Sequence, residues 1–445
     1  MQITKTSNKG LLERIFKLSE YNTNLKTEVI AGITTFMTMA YILVVNVNIL
    51  GETGMDRGAV FAATAIAAFI GCLAMGLLAN YPIALAPGMG LNAFFAYTVV
   101  LGMGHTWQFA LCAVLIEGII FIILTATNVR EKIIDCIPPV LKHAVTAGIG
   151  LFIAFIGLSN AGLVVNGSTI LALGDMKDPL VILTIVGIII ASILIAKNVK
   201  GAFLIAMLVI SVIGMGLGLV ALPEGVISTN IPSIKPLFLQ ALMVPTNEIF
   251  SLQMLVIVIT FLFVDLFDTV GCLVGVASKG NLLDENGKLP RAKQALFADA
   301  IATTLGALLG TSTVTSYVES AAGIGEGGKT GLTAITTGVL FLLSLLFAPL
   351  FISISTQATS PVLIIVGVMM ASSLKEIDFN DFTNAIPAFL TVVMMPFAYS
   401  IADGIIFGII SFTILKLATG KKKEVNVYLI VLSILFMLKF IFISH

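Results

Sequence analysis

Carboxyl groups stand inside otherwise apolar stretches of this 445-residue chain. Asp265 and Asp268 lie within residues 261–269 (FLFVDLFDT), and Glu319 lies within residues 310–323 (GTSTVTSYVESAAG). The three-residue spacing puts the two aspartates on one helical face. A charged carboxylate at the centre of a membrane helix costs roughly 2.5–3.5 kcal/mol, so such groups turn to a cavity and mark a solute or proton path. The alternative is that one aspartate ties down a neighbouring broken helix. Glu319 falls where an extended run should become helix, near free backbone amides, and burial and the helix-end field act on its proton in opposite senses. Asn92 follows a Pro/Gly break and offers one acceptor and two donors, a set that suits the edge of a planar heterocycle or else caps a helix. Asp299 is expected to orient the broken segments from behind the site. Glu117 and Asp403 read as structural, and Phe94, Phe95 and Phe267 as core rings before stacking platforms.

The elements that position these groups must sit in a bilayer. The chain is 58% hydrophobic and 11% charged, with mean hydropathy +1.08, against roughly 25% charged residues in soluble domains. Apolar runs long enough to cross the membrane are expected at 29–50, 58–79, 83–101, 108–127, 139–158, 180–196 and 201–222. A second set follows at 251–277, 294–310, 312–326, 331–352, 358–373, 384–400 and 402–419. Seven spans followed by seven more start the second half on the opposite side, the mark of an inverted repeat. The pattern Ala63 to Ala67 before Gly71 returns as Ala298 to Ala302 before Gly306, a weak echo of that repeat.

The third and tenth spans are expected to be broken, each a short strand leading into a half-helix. Pro87, Gly88 and Gly90 interrupt the third, and the hydroxyl and β-branched residues before Glu319 favour extension in the tenth. Irregular backbone inside a bilayer is tolerated only when buried or lining a polar cavity, so a midplane site follows.

With the N-terminus placed in the cytoplasm, most of the 24 basic residues fall inside, including Arg130, Lys132, Lys197, Lys200, Lys279, Arg291, Lys293, Lys329 and Lys421 to Lys423. Arg57, Lys177 and Lys235 fall outside. Residues 427–443, which include Lys439, are short for a span and either cross or lie in the interface. The polar N-terminal segment, with Lys5, Lys9, Arg14, Lys17 and Lys26, does not resemble a cleaved signal. Cys72, Cys112, Cys136 and Cys272 form no CxxC pair and read as small apolar residues.

Zero net charge gives no footprint for nucleic acid. The glycine-rich run 323–331 misses the GxxxxGK[ST] spacing and reads as a turn. With three histidines, His105, His143 and His445, and no Ser/His/Asp pattern, an enzyme has little support, and no cofactor is expected.

Over nearly its full length the chain resembles the azaguanine-like (AzgA-type) purine permeases, related to the uracil permease and the nucleobase/ascorbate transporters. The segments that carry the resemblance are 86–95 (APGMGLNAFF), 263–269 (FVDLFDT), 298–304 (ADAIATT) and 311–323 (TSTVTSYVESAAG). The resemblance implies fourteen spans in two inverted sevens. It implies a core domain from 29–127 and 251–352, a gate domain from 139–222 and 358–419, a cytoplasmic segment 1–28 and a final apolar segment 427–443. It also implies proton-coupled import of purine bases across the cytoplasmic membrane, commonly by a homodimer. Carried over by position, Asp265 and Glu319 match the substrate carboxylates, with Asp268 beside the site, Asn92 contributing from the third span and Asp299 as the orienting acid. The tenth span lacks the asparagine signature of the nucleobase/ascorbate branch, which favours hypoxanthine, guanine or adenine over uracil, xanthine or ascorbate. An anion carrier of the same inverted architecture is the competing expectation.

Overall fold

Helix starts follow from capping side chains at the ends of the apolar runs. Asp56 accepts from Ala59 N at 2.7 Å, Thr106 from Phe109 N at 3.2 Å, and Ser251 from Met254 N at 3.1 Å. Asp178 caps the helix that begins at Pro179, where the missing N–H of proline costs nothing. In the computed structural model, residues 11–127, 138–167, 170–223, 225–280, 282–284 and 289–442 are described. Lys5, Lys9, Arg130, Lys132, Cys136 and His445 lie outside the described residues.

The elements that matter below run in chain order. They are α1 (Leu25–Met39), α2 (Ile42–Gly51), α3 (Arg57–Ala74), β1 (Leu85–Pro87) and α4 (Met89–Ala93), which continues in wider turns to Gly102. Then come α5 (Trp107–Ala126), α6 (Pro139–Asn160), a hairpin of β2 (Val164–Asn166) and β3 (Leu171–Leu173), α7 (Pro179–Ala196) and α8 (Ala202–Gly216). The second half holds α9 (Leu252–Lys279), α10 (Ala292–Leu309), β4 (Val314–Ser316), α11 (Ser320–Gly325) and α12 (Gly331–Leu343). It ends with α13 (Thr356–Ala371), α14 (Phe382–Phe397), α15 (Ile401–Ala418) and α16 (Val427–Phe442).

Among the described residues nine helices are long and apolar enough to cross a membrane, and three shorter apolar helices, Met89–Gly102, Ala202–Gly216 and Phe382–Phe397, join them. The chain is a mostly helical, polytopic membrane protein. Three local features depart from the sequence expectation. The first apolar run breaks at Ala40 and Tyr41, just after Thr38 turns its hydroxyl back onto the carbonyls of Thr34 and Thr35. The seventh run ends as helix at Gly216, short of residue 222, and the β2/β3 hairpin follows α6.

The breaks in the third and tenth runs meet each other. β1 and β4 pair antiparallel in the register Leu85↔Ser316, Ala86↔Thr315 and Pro87↔Val314. Gly88 N donates to Thr313 O at 2.9 Å and Tyr317 N to Ala84 O at 3.1 Å, which extends the ladder at both ends. Each interrupted backbone therefore satisfies the other, the condition for irregular chain at membrane depth.

Two bundles assemble around this crossing. In one, α12 packs on α1 and α3, α10 on α3 and α5, and α9 on α5 and β4. In the other, α6 packs on α13, α14 and α15, and α7 lies against α8 and α13. Small residues bring α6 and α13 close: a Cβ on Gly150 would stand 2.7 Å from Gly367 O and 2.6 Å from Met370 Cβ. Contacts between the bundles are fewer and run from α4 and α9 to α6, from α1 to α8 and from α2 to α13.

Candidate functional site

A cavity of about 660 Å³ opens between the two bundles beside the strand crossing, within the roughly 300–1,000 Å³ of small-molecule sites. One wall comes from the broken segments and α9. Gly88, Met89 and Gly90 contribute from the first break, Ser316, Tyr317 and Glu319 from the second, and Phe267, Asp268 and Cys272 from α9. Tyr41, at the break between α1 and α2, completes that wall and donates its O–H to Glu319 Oε1 at 2.7 Å. The opposite wall is Lys142, His143 and Thr146 of α6, with Met369, Met370 and the following Ser372, Ser373 and Glu376.

The acidic residues named from sequence divide by position. Asp268 and Glu319 line the cavity. Asp265 and Asp299 are fully buried and do not line it; both meet the Thr269 hydroxyl at 3.0 Å. The three-residue spacing of Asp265 and Asp268 puts them on one broad face, yet only Asp268 reaches the cavity, while Asp265 accepts from Thr269 of its own helix. Asn92 is also fully buried, bonded through Oδ1 to the hydroxyl of Ser312, and its Nδ2 finds no partner among the described residues. Neither cap nor cavity-lining group, it holds α4 to the approach of β4. Glu117 accepts from the Thr313 hydroxyl at 2.7 Å, and Asp403 sits in the first turn of α15. Phe94 packs edge-on against Phe261 at 4.7 Å and Phe95 is buried, whereas Phe267 reaches the cavity wall.

Several cavity residues carry no sequence signal that would have singled them out. Tyr41 and Ser316 are small parts of long apolar or hydroxyl-rich runs. Thr269, behind the wall, does carry one, because it stands four residues after Asp265 and so falls on the same helical stripe.

The far end of the same interface is closed. His143 and Asn160 stand 17 positions apart on α6, about 25 Å along the axis. At that end Asn160 Nδ2 donates to Tyr97 OH at 3.0 Å and to Glu52 Oε1 at 3.4 Å. Tyr399 packs edge-on against Tyr97, Phe152 and Phe155, with centroids 6.1, 5.4 and 6.0 Å away. Tyr97 and Glu52 belong to the first bundle, Asn160 and Tyr399 to the second.

Comparison with known proteins agrees with this architecture. The chain matches the family model Xan_ur_permease, described as the Permease family, over residues 26–435. It is 49% identical to the guanine/hypoxanthine permease PbuG of Bacillus subtilis (strain 168), across 97% of this chain and 100% of that protein. It is 44% identical to the adenine permease AdeP of Escherichia coli (strain K12), across 99% of this chain and 98% of that protein. Among solved structures, the transmembrane domain of a cyanobacterium bicarbonate transporter, BicA, superposes with a TM-score of 0.64 at 15% identity, covering 86% of this chain and 97% of that one. That last likeness concerns the fold alone. From the match over most of its length and the full-length relatives, the chain belongs to the Permease family of nucleobase-ascorbate transporters.

Proposed function

We propose that this protein imports purine nucleobases, guanine and hypoxanthine or adenine, across the cytoplasmic membrane in symport with protons. The observation that carries the reading is the cavity at the strand crossing with two carboxyl groups, Asp268 and Glu319, in one wall. A purine ring presents N–H donors along its edges, which carboxylates accept, and a flat face, for which Phe267 is at hand. Asp265, Asp299 and Asn92 act from behind that wall. Named relatives of near-equal length that carry guanine, hypoxanthine or adenine support the substrate class.

In this reading the chain has fourteen spans in two inverted sevens, with the N-terminus in the cytoplasm. Support comes from β1 and β4, which occupy corresponding positions in the two halves and pair antiparallel. The first bundle serves as core and the second as gate, the division along which the helices already pack. Lys142 and His143 stand at the cytoplasmic mouth, so the conformation described here faces inward and its closed end faces out. Movement of core against gate would exchange the two.

The fold shared with a bicarbonate transporter raises anion carriage as a second reading. Two carboxyl groups facing the solute oppose it. Uptake of labelled hypoxanthine, guanine, adenine and uracil into proteoliposomes, with and without an inward proton gradient, tests the choice. Gradient-dependent accumulation of at least one purine and none of uracil is expected. Bicarbonate or sulfate flux with no purine uptake would overturn it.

Tyr41→Phe probes the wall itself. It removes the donor to Glu319 and leaves the ring. A hydrogen bond to a charged group contributes about 1.5–3 kcal/mol, so purine affinity should fall by about tenfold or more. Equilibrium binding to detergent-purified protein reads this directly, and an unchanged Kd would remove Tyr41 from the site.

A further inference from the structure

If purine and proton move together, the proton needs a place to sit. Behind the cavity wall, the Thr269 hydroxyl lies 3.0 Å from Asp265 Oδ1, 3.0 Å from Asp299 Oδ1 and 2.7 Å from Thr315 Oγ1. All four side chains are buried. Three oxygen–oxygen contacts of hydrogen-bond length are each filled by a hydrogen of their own only when three are present, and the two hydroxyls bring two. An ionised carboxylate brings none. A separate hydrogen in every contact requires a third, carried by Asp265 or Asp299, which would make the group of four the holder of one proton. Without it, one contact sets lone pairs against each other and two like charges converge on a single hydroxyl in a site shielded from water.

We propose that Thr269 is a positioning residue that senses the protonation of Asp265 and Asp299 and transmits it to the substrate cavity. This rests on the purine–proton reading above and deepens it. Thr269 follows Asp268 in α9, and Thr315 precedes Ser316 in β4; both neighbours line the cavity. Thr315 is also paired with Ala86 across the strand crossing, so the junction grips α9, α10 and both broken segments at once. With the proton in place, all three contacts hold, and the α9 part of the wall, bearing Asp268, is fixed to its β4 part, bearing Ser316. When the proton leaves for the cytoplasmic side, the aspartates repel, the α9–β4 contact loosens and the base is released.

The other titratable groups facing this junction from the elements around it are few in kind. Asp268 and Cys272 on α9, with Tyr317 and Glu319 beyond β4 and Tyr41 before α2, occupy the same wall. Glu117 on α5 is engaged by Thr313. Lys142, His143 and Glu376 stand on the opposite wall. The first set is acidic or neutral, so it does not supply a cation that would hold both aspartates ionised.

The test is the pH dependence of purine binding and uptake for wild type, Thr269→Ser, Thr269→Val and Asp299→Asn. When one proton binds with the substrate, the apparent Kd rises about tenfold per pH unit above the titration of the site. Wild type and Thr269→Ser, which keeps the hydroxyl, should show that slope. Thr269→Val cannot bridge the acids, and Asp299→Asn supplies the missing hydrogen permanently, so both should bind with a profile flat to within about twofold per pH unit and lose gradient-driven accumulation while counterflow exchange persists. A wild-type slope in Thr269→Val or Asp299→Asn, or a Thr269→Ser that behaves as Val, overturns the proposal. So does loss of all binding in Asp299→Asn, because the amide satisfies the hydrogen count. Infrared difference spectra of wild type minus Asp299→Asn give a reading independent of substrate: a protonated-carboxyl band is expected, and its absence overturns the shared proton. If wild type binds no purine at any pH but shows that band, the purine reading falls and the shared proton stands.

Discussion

Glu319→Gln should lower purine uptake at sub-saturating substrate by about 100-fold, with the loss appearing in affinity. The glutamine is nearly isosteric and keeps an oxygen that can accept from Tyr41, whose O–H reaches Glu319 Oε1 at 2.7 Å. What it loses is the charge-assisted acceptor for a ring N–H, a contribution of about 1.5–3 kcal/mol, where roughly 2.7 kcal/mol corresponds to 100-fold. An amide N–H pointed at a ring N–H adds repulsion to that loss. Asp268→Asn, on the same wall, should behave alike, and the pair together should fall short of additivity because both groups hold one ligand. Uptake and equilibrium binding in parallel separate the terms. A Glu319→Gln protein that binds purine within threefold of wild type would move the site elsewhere in the cavity.

The second large effect concerns the closed end. Cysteines placed at Tyr97 and Asn160, in a chain otherwise free of reactive thiols, should be joined by a short bifunctional thiol reagent, and uptake should then stop. The side chains meet at 3.0 Å, and they come from different bundles, so a covalent tie there holds core and gate in the present arrangement. Reductant that cleaves the linker should restore most of the activity. Unaltered uptake after complete cross-linking, judged by mass spectrometry, would show that the two bundles do not separate along this seam during transport.

The sequence carried the fold at the level where hydrophobicity decides it. Apolar runs at 58–79, 108–127 and 139–158 reappear as Arg57–Ala79, Trp107–Ala126 and Pro139–Asn160, because a bilayer demands long apolar helices and little else. The broken segments were legible for a related reason: Pro87, Gly88 and the hydroxyl run before Glu319 cannot continue an apolar helix. Their pairing with each other was not, since register is a property of two distant chain segments. Sequence spacing grouped Asp265 with Asp268, but which carboxyl turns to the cavity depends on what packs against each side of α9. Tyr41 stayed hidden because nothing local marks a tyrosine in the interior of the 29–50 apolar run as the partner of an acid 278 positions later.

The same distance has a consequence for biosynthesis. Pro87 and Tyr317, joined across the strand crossing, are 230 residues apart in the chain. At about 5–20 residues per second, roughly 10–50 s pass between synthesis of the first strand and arrival of the second. Throughout that interval the Ala84 carbonyl, the Pro87 carbonyl and the Gly88 N–H lack the partners that later satisfy them, Tyr317 N, the Tyr317 hydroxyl and Thr313 O. The nascent first half must therefore keep this segment hydrated or shielded by the insertion machinery, and truncation between the halves should yield a product that is degraded instead of a stable half-transporter.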